Sequence, residues 1–108
     1  MTNPGTDFSP TELKAFLDLG QAIVVDVREP DEFRAGHIPG AINHPLSRFD
    51  PARLPDPGSR RLILNCGVGG RSAKALAACQ AARAVVDGHL AGGLKAWAAA
   101  GLPLATGA

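Results

Sequence analysis

Along the chain, short unbroken apolar runs alternate with stretches whose apolar residues recur every three or four positions. The runs AIVVDV (22–27) and RLILNC (61–66) carry the β-branched and aliphatic residues of strands buried on both faces. Ala84 to Val86 predicts a third strand. Ser9, Pro10, Thr11 and Glu12 read as a capping box with proline at the first helical position. Leu13, Phe16 and Leu17 then form the apolar stripe of a helix closed by Gly20. Pro30 to Ala35 predicts one or two helical turns stopped by Gly36, and HIPGAINHP (37–45) a loop feeding a short strand. Ser47 to Leu54 is weakly helical, and PDPGSRR (55–61) is a surface linker. Arg71 to Arg83 predicts a helix with Ala75, Leu76 and Cys79 on its apolar stripe. Gly92 and Gly93 precede a final helix around Leu94, Ala96 and Trp97, ended by Gly101 with Pro103 beyond. Helices alternating with buried strands predict an α/β fold with a mostly parallel sheet.

Composition narrows this picture without redirecting it. A length of 108 residues suits one domain, with residues 1–8 expected as a flexible N-terminal segment. Hydrophobic residues at 45%, charged residues at 19% and a mean hydropathy of +0.04 describe a globular chain. The net charge of +1 and the lack of like-charge runs argue against nucleic acid and membrane surfaces as partners. No apolar stretch approaches the roughly 20 residues of a membrane span, and the N-terminus lacks a signal pattern. The expected location is cytoplasmic, with both cysteines, Cys66 and Cys79, as free thiols.

The chemistry concentrates in LILNCGVGGRSAKALAAC (62–79). Cys66 follows a predicted strand directly, and ligands of open α/β sheets bind outside the carboxyl ends of strands. Gly67, Gly69 and Gly70 let successive backbone N–H groups converge, and the helix beginning near Arg71 adds its positive N-terminal dipole. Such a turn holds an anion: a nucleotide phosphate, a phosphate ester under attack by a thiolate, or the cysteine sulfur itself. A P-loop would need glycine at Asn65 and lysine at Arg71, and a dinucleotide fingerprint starting at Gly67 would need glycine at Ser72. Thiolate phosphatases place five residues between cysteine and arginine, whereas Gly67, Val68, Gly69 and Gly70 are four. The smaller ring favours a single sulfur atom, carried as a persulfide.

The loop CGVGGRS resembles the active loop of the single-domain rhodaneses, a sulfurtransferase family. DVREPDEF (26–33), GHIPGAIN (36–43) and GGLKAW (92–97) resemble the family's other motifs in order and spacing. The resemblance implies a three-layer domain, a central mostly parallel sheet flanked by helices on both faces. It also implies that Cys66 is the sulfur-carrying nucleophile, with Gly67, Val68, Gly69, Gly70, Arg71 and Ser72 forming the substrate-binding loop. The donor is then thiosulfate or a persulfide and the acceptor a thiol or cyanide, with a sulfur-relay protein as a further possible partner. The same resemblance admits a protein-docking relay or sulfur-sensing module with little small-molecule turnover. No metal or organic cofactor is required. The chain departs from the family in having His44 after GHIPGAIN, one extra residue in VVDGHLAGG, and a single cation in the loop.

Several side chains carry two readings. Arg71 serves either an anionic donor or a strand-end carboxylate such as Asp26. Ser72 either caps the helix or bonds the loop. Asp26 and Arg28 support the loop, or fix the turn by a salt bridge, which is the commoner fate of such a pair. His37 is expected to hydrogen-bond within the GHIPGA turn, and His44 and His89 are further histidine candidates for the pocket. Cys79 lies about 12 Å along the helix from Arg71, too far to resolve a persulfide on Cys66.

Overall fold

The computed structural model describes residues 6–107. Five strands form one parallel sheet: β1 (Asp7–Phe8), β2 (Ala22–Asp26), β3 (Ile42–Asn43), β4 (Arg61–Asn65) and β5 (Gly88–Leu90), in the spatial order β1-β5-β4-β2-β3. Three helices connect strands, α1 (Pro10–Asp18), α2 (Pro30–Ala35) and α3 (Gly70–Ala81), and α4 (Gly93–Ala99) follows β5. The expected capping box is present at α1, with Glu12 N–H donating to Ser9 Oγ and Ser9 N–H to Glu12 Oε1. Ser47 to Leu54 resolves into two 3-10 turns, Leu46–Arg48 and Pro51–Arg53.

Alternation along β4 divides the core in two. Leu62, Leu64 and Cys66 face α3, packing with Val25, Val27, Ala75, Leu76 and Cys79. Ile63 faces the other way, with Val24, Leu13 of α1, Ile38, Leu90 and Trp97 of α4. Each fully buried valine, leucine or isoleucine among them contributes about 1.5–3 kcal/mol. Trp97 anchors α4 in that second layer, its indole N–H donating to Pro103 O at 2.8 Å.

Two expectations are corrected. Ala84 to Val86 is not a strand: Ala84 N–H returns to Cys79 O at the end of α3, Arg83 adopts φ +55°, and Val85 is 76% exposed. The strand is instead the next segment, Gly88–Leu90, which is buried although its residues lack β-branching. At the N-terminus, Asp7–Phe8 pairs with β5 as an edge strand where a loose segment was expected; residues 1–5 lie outside the described residues.

Register sets up the site. Asp26 is level with Asn65 on one side and Asn43 on the other, while His89 is level with Leu64 and Asp7. The carboxyl edge of the sheet thus lines up Asp7, His89, the approach to Cys66, Asp26 and Asn43.

Candidate active site

Cys66 leaves β4 at the sheet's carboxyl edge and is fully buried. The chain then turns through Gly67 and Val68 to Gly69, whose φ of +108° is open to glycine and strained for other residues. That turn folds the backbone back over the sulfur, so that Gly69 N–H donates to Cys66 Sγ at 3.1 Å. Ser72 Oγ stands 3.4 Å from the same sulfur. Burial pushes the Cys66 thiol up, but hydrogen bonds from the Ser72 hydroxyl and the Ser72, Gly69 and Val68 amides outweigh it and hold the thiol below its ordinary value. Cys79, buried without such donors, is pushed up. The contrast between the two cysteines follows from hydrogen bonding.

The outer side of the loop is clamped by α4. Leu94 N–H donates to Cys66 O at 2.8 Å and Lys95 N–H to Gly67 O at 3.0 Å, so the first amides of α4 take the loop's carbonyls while the loop's own amides face the sulfur. This approach requires a glycine: a Cβ on Gly93 would fall 2.6 Å from both Cys66 O and Gly67 O. GGLKAW therefore acts as a backing plate for CGVGG. Val68, 68% exposed, is the outermost side chain of the loop.

Arg71 does not reach Asp26. Its guanidinium lies over Gly67 and forms a two-pronged pair with Glu32 of α2, Nη1 to Oε1 at 2.7 Å and Nη2 to Oε2 at 3.0 Å. The Arg71 hydrogen bonds hold the Glu32 carboxyl below its usual range, and Glu32 in turn holds Arg71 charged. Asp26 is taken by Arg28, whose Nε and Nη2 both donate to the carboxylate while Nη2 also reaches Gly36 O at 2.6 Å. Asn43 Nδ2 donates to the carbonyls of both Asp26 and Arg28. DVREPDEF and GHIPGAIN thus meet in a buried turn-fixing knot beside the loop.

Ser72 bonds the loop rather than capping α3, whose N-cap is Gly69. Its hydroxyl reaches Gly69 O at 3.2 Å and His89 Nδ1 at 2.8 Å, and His89 Nε2 is 3.1 Å from Asp7 Oδ1. His37 stacks on Phe33 and bonds Phe33 O through Nδ1, so its ring is held by α2 and not within the GHIPGA turn where the sequence places its bond. His44 Nε2 accepts Asp50 N–H, away from the sulfur. Glu32, Gly93, Asp7 and the contact of His89 with Ser72 were not visible in the sequence. His89, as a histidine candidate for the pocket, is the one sequence signal that points toward them.

The chain matches the rhodanese-like domain family over residues 9–100. It is 41% identical over 104 residues to the uncharacterized protein slr1261 of Synechocystis, covering 94% of this chain and 57% of that protein. Over 99 residues it is 40% identical to the probable adenylyltransferase/sulfurtransferase MoeZ of Mycobacterium tuberculosis, covering 87% of this chain and 25% of that protein. The chain therefore spans little more than half of the first relative and a quarter of the second. In three dimensions it resembles the human single-domain sulfurtransferase TSTD1, with a TM-score of 0.74 and 28% identity over 90% of this chain and 97% of that one. With three of its motifs gathered around the cysteine-bearing fourth, the chain belongs to the rhodanese-like domain family.

Proposed function

We propose that Cys66 carries sulfane sulfur as a persulfide, taking it from a donor such as thiosulfate and passing it to cyanide or a thiol. The observation that carries this reading is the hydrogen bond from Gly69 N–H to a buried Cys66 sulfur that the loop holds toward its thiolate form. The thiolate attacks the outer sulfur of thiosulfate; a new S–S bond forms, the donor's S–S bond breaks, and sulfite leaves with its electron pair. The outer sulfur of the persulfide takes the place of the thiolate among the loop amides. An acceptor nucleophile then attacks that sulfur, and Cys66 departs as thiolate, which is covalent catalysis in two half-reactions. Because Cys66 is covered by its own loop, entry of the donor requires Gly67, Gly69 and Gly70 to give way locally. Two free thiols suit a reducing compartment, and the cytoplasm is the location that fits this reading.

A second reading, a persulfide relay that docks a partner protein, draws on the Arg71–Glu32 pair. It leaves the loop's arginine already neutralised, which weakens attraction for a small anionic donor. A relative that joins adenylyltransferase and sulfurtransferase in one chain is consistent with protein-to-protein sulfur delivery. Steady-state turnover of thiosulfate with a panel of cyanide and thiol acceptors, in wild type and Cys66→Ala, separates the two. Turnover with small acceptors that is lost in the variant supports the enzyme. Negligible turnover with rapid loading from a cysteine desulfurase supports the relay.

A further inference from the structure

Four polar groups from three segments join in one line through the protein. From the reactive end they are Cys66 Sγ, Ser72 Oγ at 3.4 Å, His89 Nδ1 at 2.8 Å from Ser72, and Asp7 Oδ1 at 3.1 Å from His89 Nε2. Ser72 is fully buried and His89 is 9% exposed, so the line is shielded from bulk water over most of its length. Besides Cys66 Sγ and His89, the Ser72 hydroxyl touches Gly69 O at 3.2 Å.

A serine hydroxyl has one proton, and Gly69 O, His89 Nδ1 and Cys66 Sγ all lie within its reach. With Cys66 as a thiol, the arrangement that joins the line has S–H donating to Ser72, Ser72 donating to an unprotonated His89 Nδ1, and Nε2–H donating to Asp7. With Cys66 as a thiolate, Ser72 turns its proton to the sulfur, and a His89 that keeps its bond to Ser72 then carries a proton on Nδ1 while Nε2–H stays on Asp7. We propose that Asp7, His89 and Ser72 form a proton relay that takes the Cys66 proton and stores it on His89. The bookkeeping closes: the S–H bond breaks as an O–H bond forms on Ser72, and the former Ser72 O–H bond breaks as an N–H bond forms on His89. Asp7 neutralises the resulting imidazolium. Among the described residues, the charged or titratable groups bearing on the line include Asp7 from β1, Cys66 after β4, and Arg71 of α3 with its partner Glu32 of α2. His89 acts through Ser72 and is a positioning residue.

The relay rests on the thiolate chemistry proposed above, but its test requires no sulfur transfer. His89→Asn keeps an amide near the Nδ1 position to bond Ser72, yet cannot hold the proton. The ultraviolet thiolate absorbance of Cys66, assigned by its loss in Cys66→Ser, should titrate about one pH unit higher in His89→Asn, a roughly tenfold loss of thiolate at pH values below the midpoint. Asp7→Asn should move it the same way by less. Histidine ¹⁵N resonances supply a readout that does not depend on a His89 variant folding. At a pH where Cys66 is thiolate, His89 should carry both ring protons in wild type and only the Nε2 proton in Cys66→Ser. A His89→Asn titration that superimposes on wild type, or the same His89 protonation with and without the Cys66 sulfur, overturns the relay. A protein that passes these tests and never takes sulfur from any donor would instead overturn the sulfur-carrier reading.

Discussion

Gly93, the first residue of α4, lies so close to Cys66 that a methyl group on its Cα would come within 2.6 Å of the Cys66 carbonyl oxygen. The backbone of one motif is in this way the mould for the other. Gly93 also has φ +61°, so a side chain is disfavoured there by conformation as well as by space. Gly93→Ala should lower stability by about 2 kcal/mol or more, since the neighbouring atoms are backbone and cannot rotate aside. Thermal denaturation measures this, and an unchanged melting temperature would show that α4 does not seat on the loop as described.

The pair between Glu32 and Arg71 is partly exposed, with side-chain exposures of 42% and 38%, so its effect on stability is small, about 0–1 kcal/mol. Its effect on substrate choice should be larger. Glu32→Gln removes the carboxylate that neutralises Arg71, and thiosulfate loading should rise several-fold at low salt, with the gain fading as salt is added. Initial loading rates across a salt series test this; a loss of rate would show that the pair holds the loop in its working shape.

Asp26 and Arg28 behave differently because they are buried at 0% and 6% exposure. Asp26→Ala strands a guanidinium inside the protein, and losing one partner of a buried pair costs about 3–5 kcal/mol. The variant should express poorly or unfold cooperatively at much lower denaturant. If it folds with wild-type stability and loses only activity, the pair belongs to the reaction and not to the turn.

The lowered Cys66 value has a signed consequence. A group whose folded value lies below its unfolded value contributes stability above the unfolded value, and that contribution is lost as the pH falls through the folded one. Native protein should therefore show a thiolate titration for Cys66 at lower pH than the urea-unfolded chain, with Cys79 titrating later. A native midpoint at or above the unfolded one would mean that burial, not the loop amides, dominates at Cys66.

The fold was legible wherever local pattern and burial agree. AIVVDV and RLILNC are buried on both faces and read as strands, and Ser9 with Glu12 marked a helix start that the structure keeps. Ala84–Val86 misled because β-branched residues at a helix exit look like a strand, whereas Gly88–Leu90 is held by the neighbouring strands on either side. In the site, the loop itself was readable because its geometry is local, from Cys66 to Ser72. Glu32, Gly93, Asp7 and the role of His89 depend on which segments the sheet order brings together, and nothing in the spacing of a single motif encodes that order.

The most direct measurement is intact mass after incubation with thiosulfate and removal of excess donor. Wild-type protein should gain the mass of one sulfur atom, lose it on addition of cyanide, and take up none when Cys66 is changed to serine. Uptake of the same mass by Cys66→Ser, or no uptake by wild type from thiosulfate or any persulfide donor, would contradict the assignment of Cys66 as the sulfur carrier.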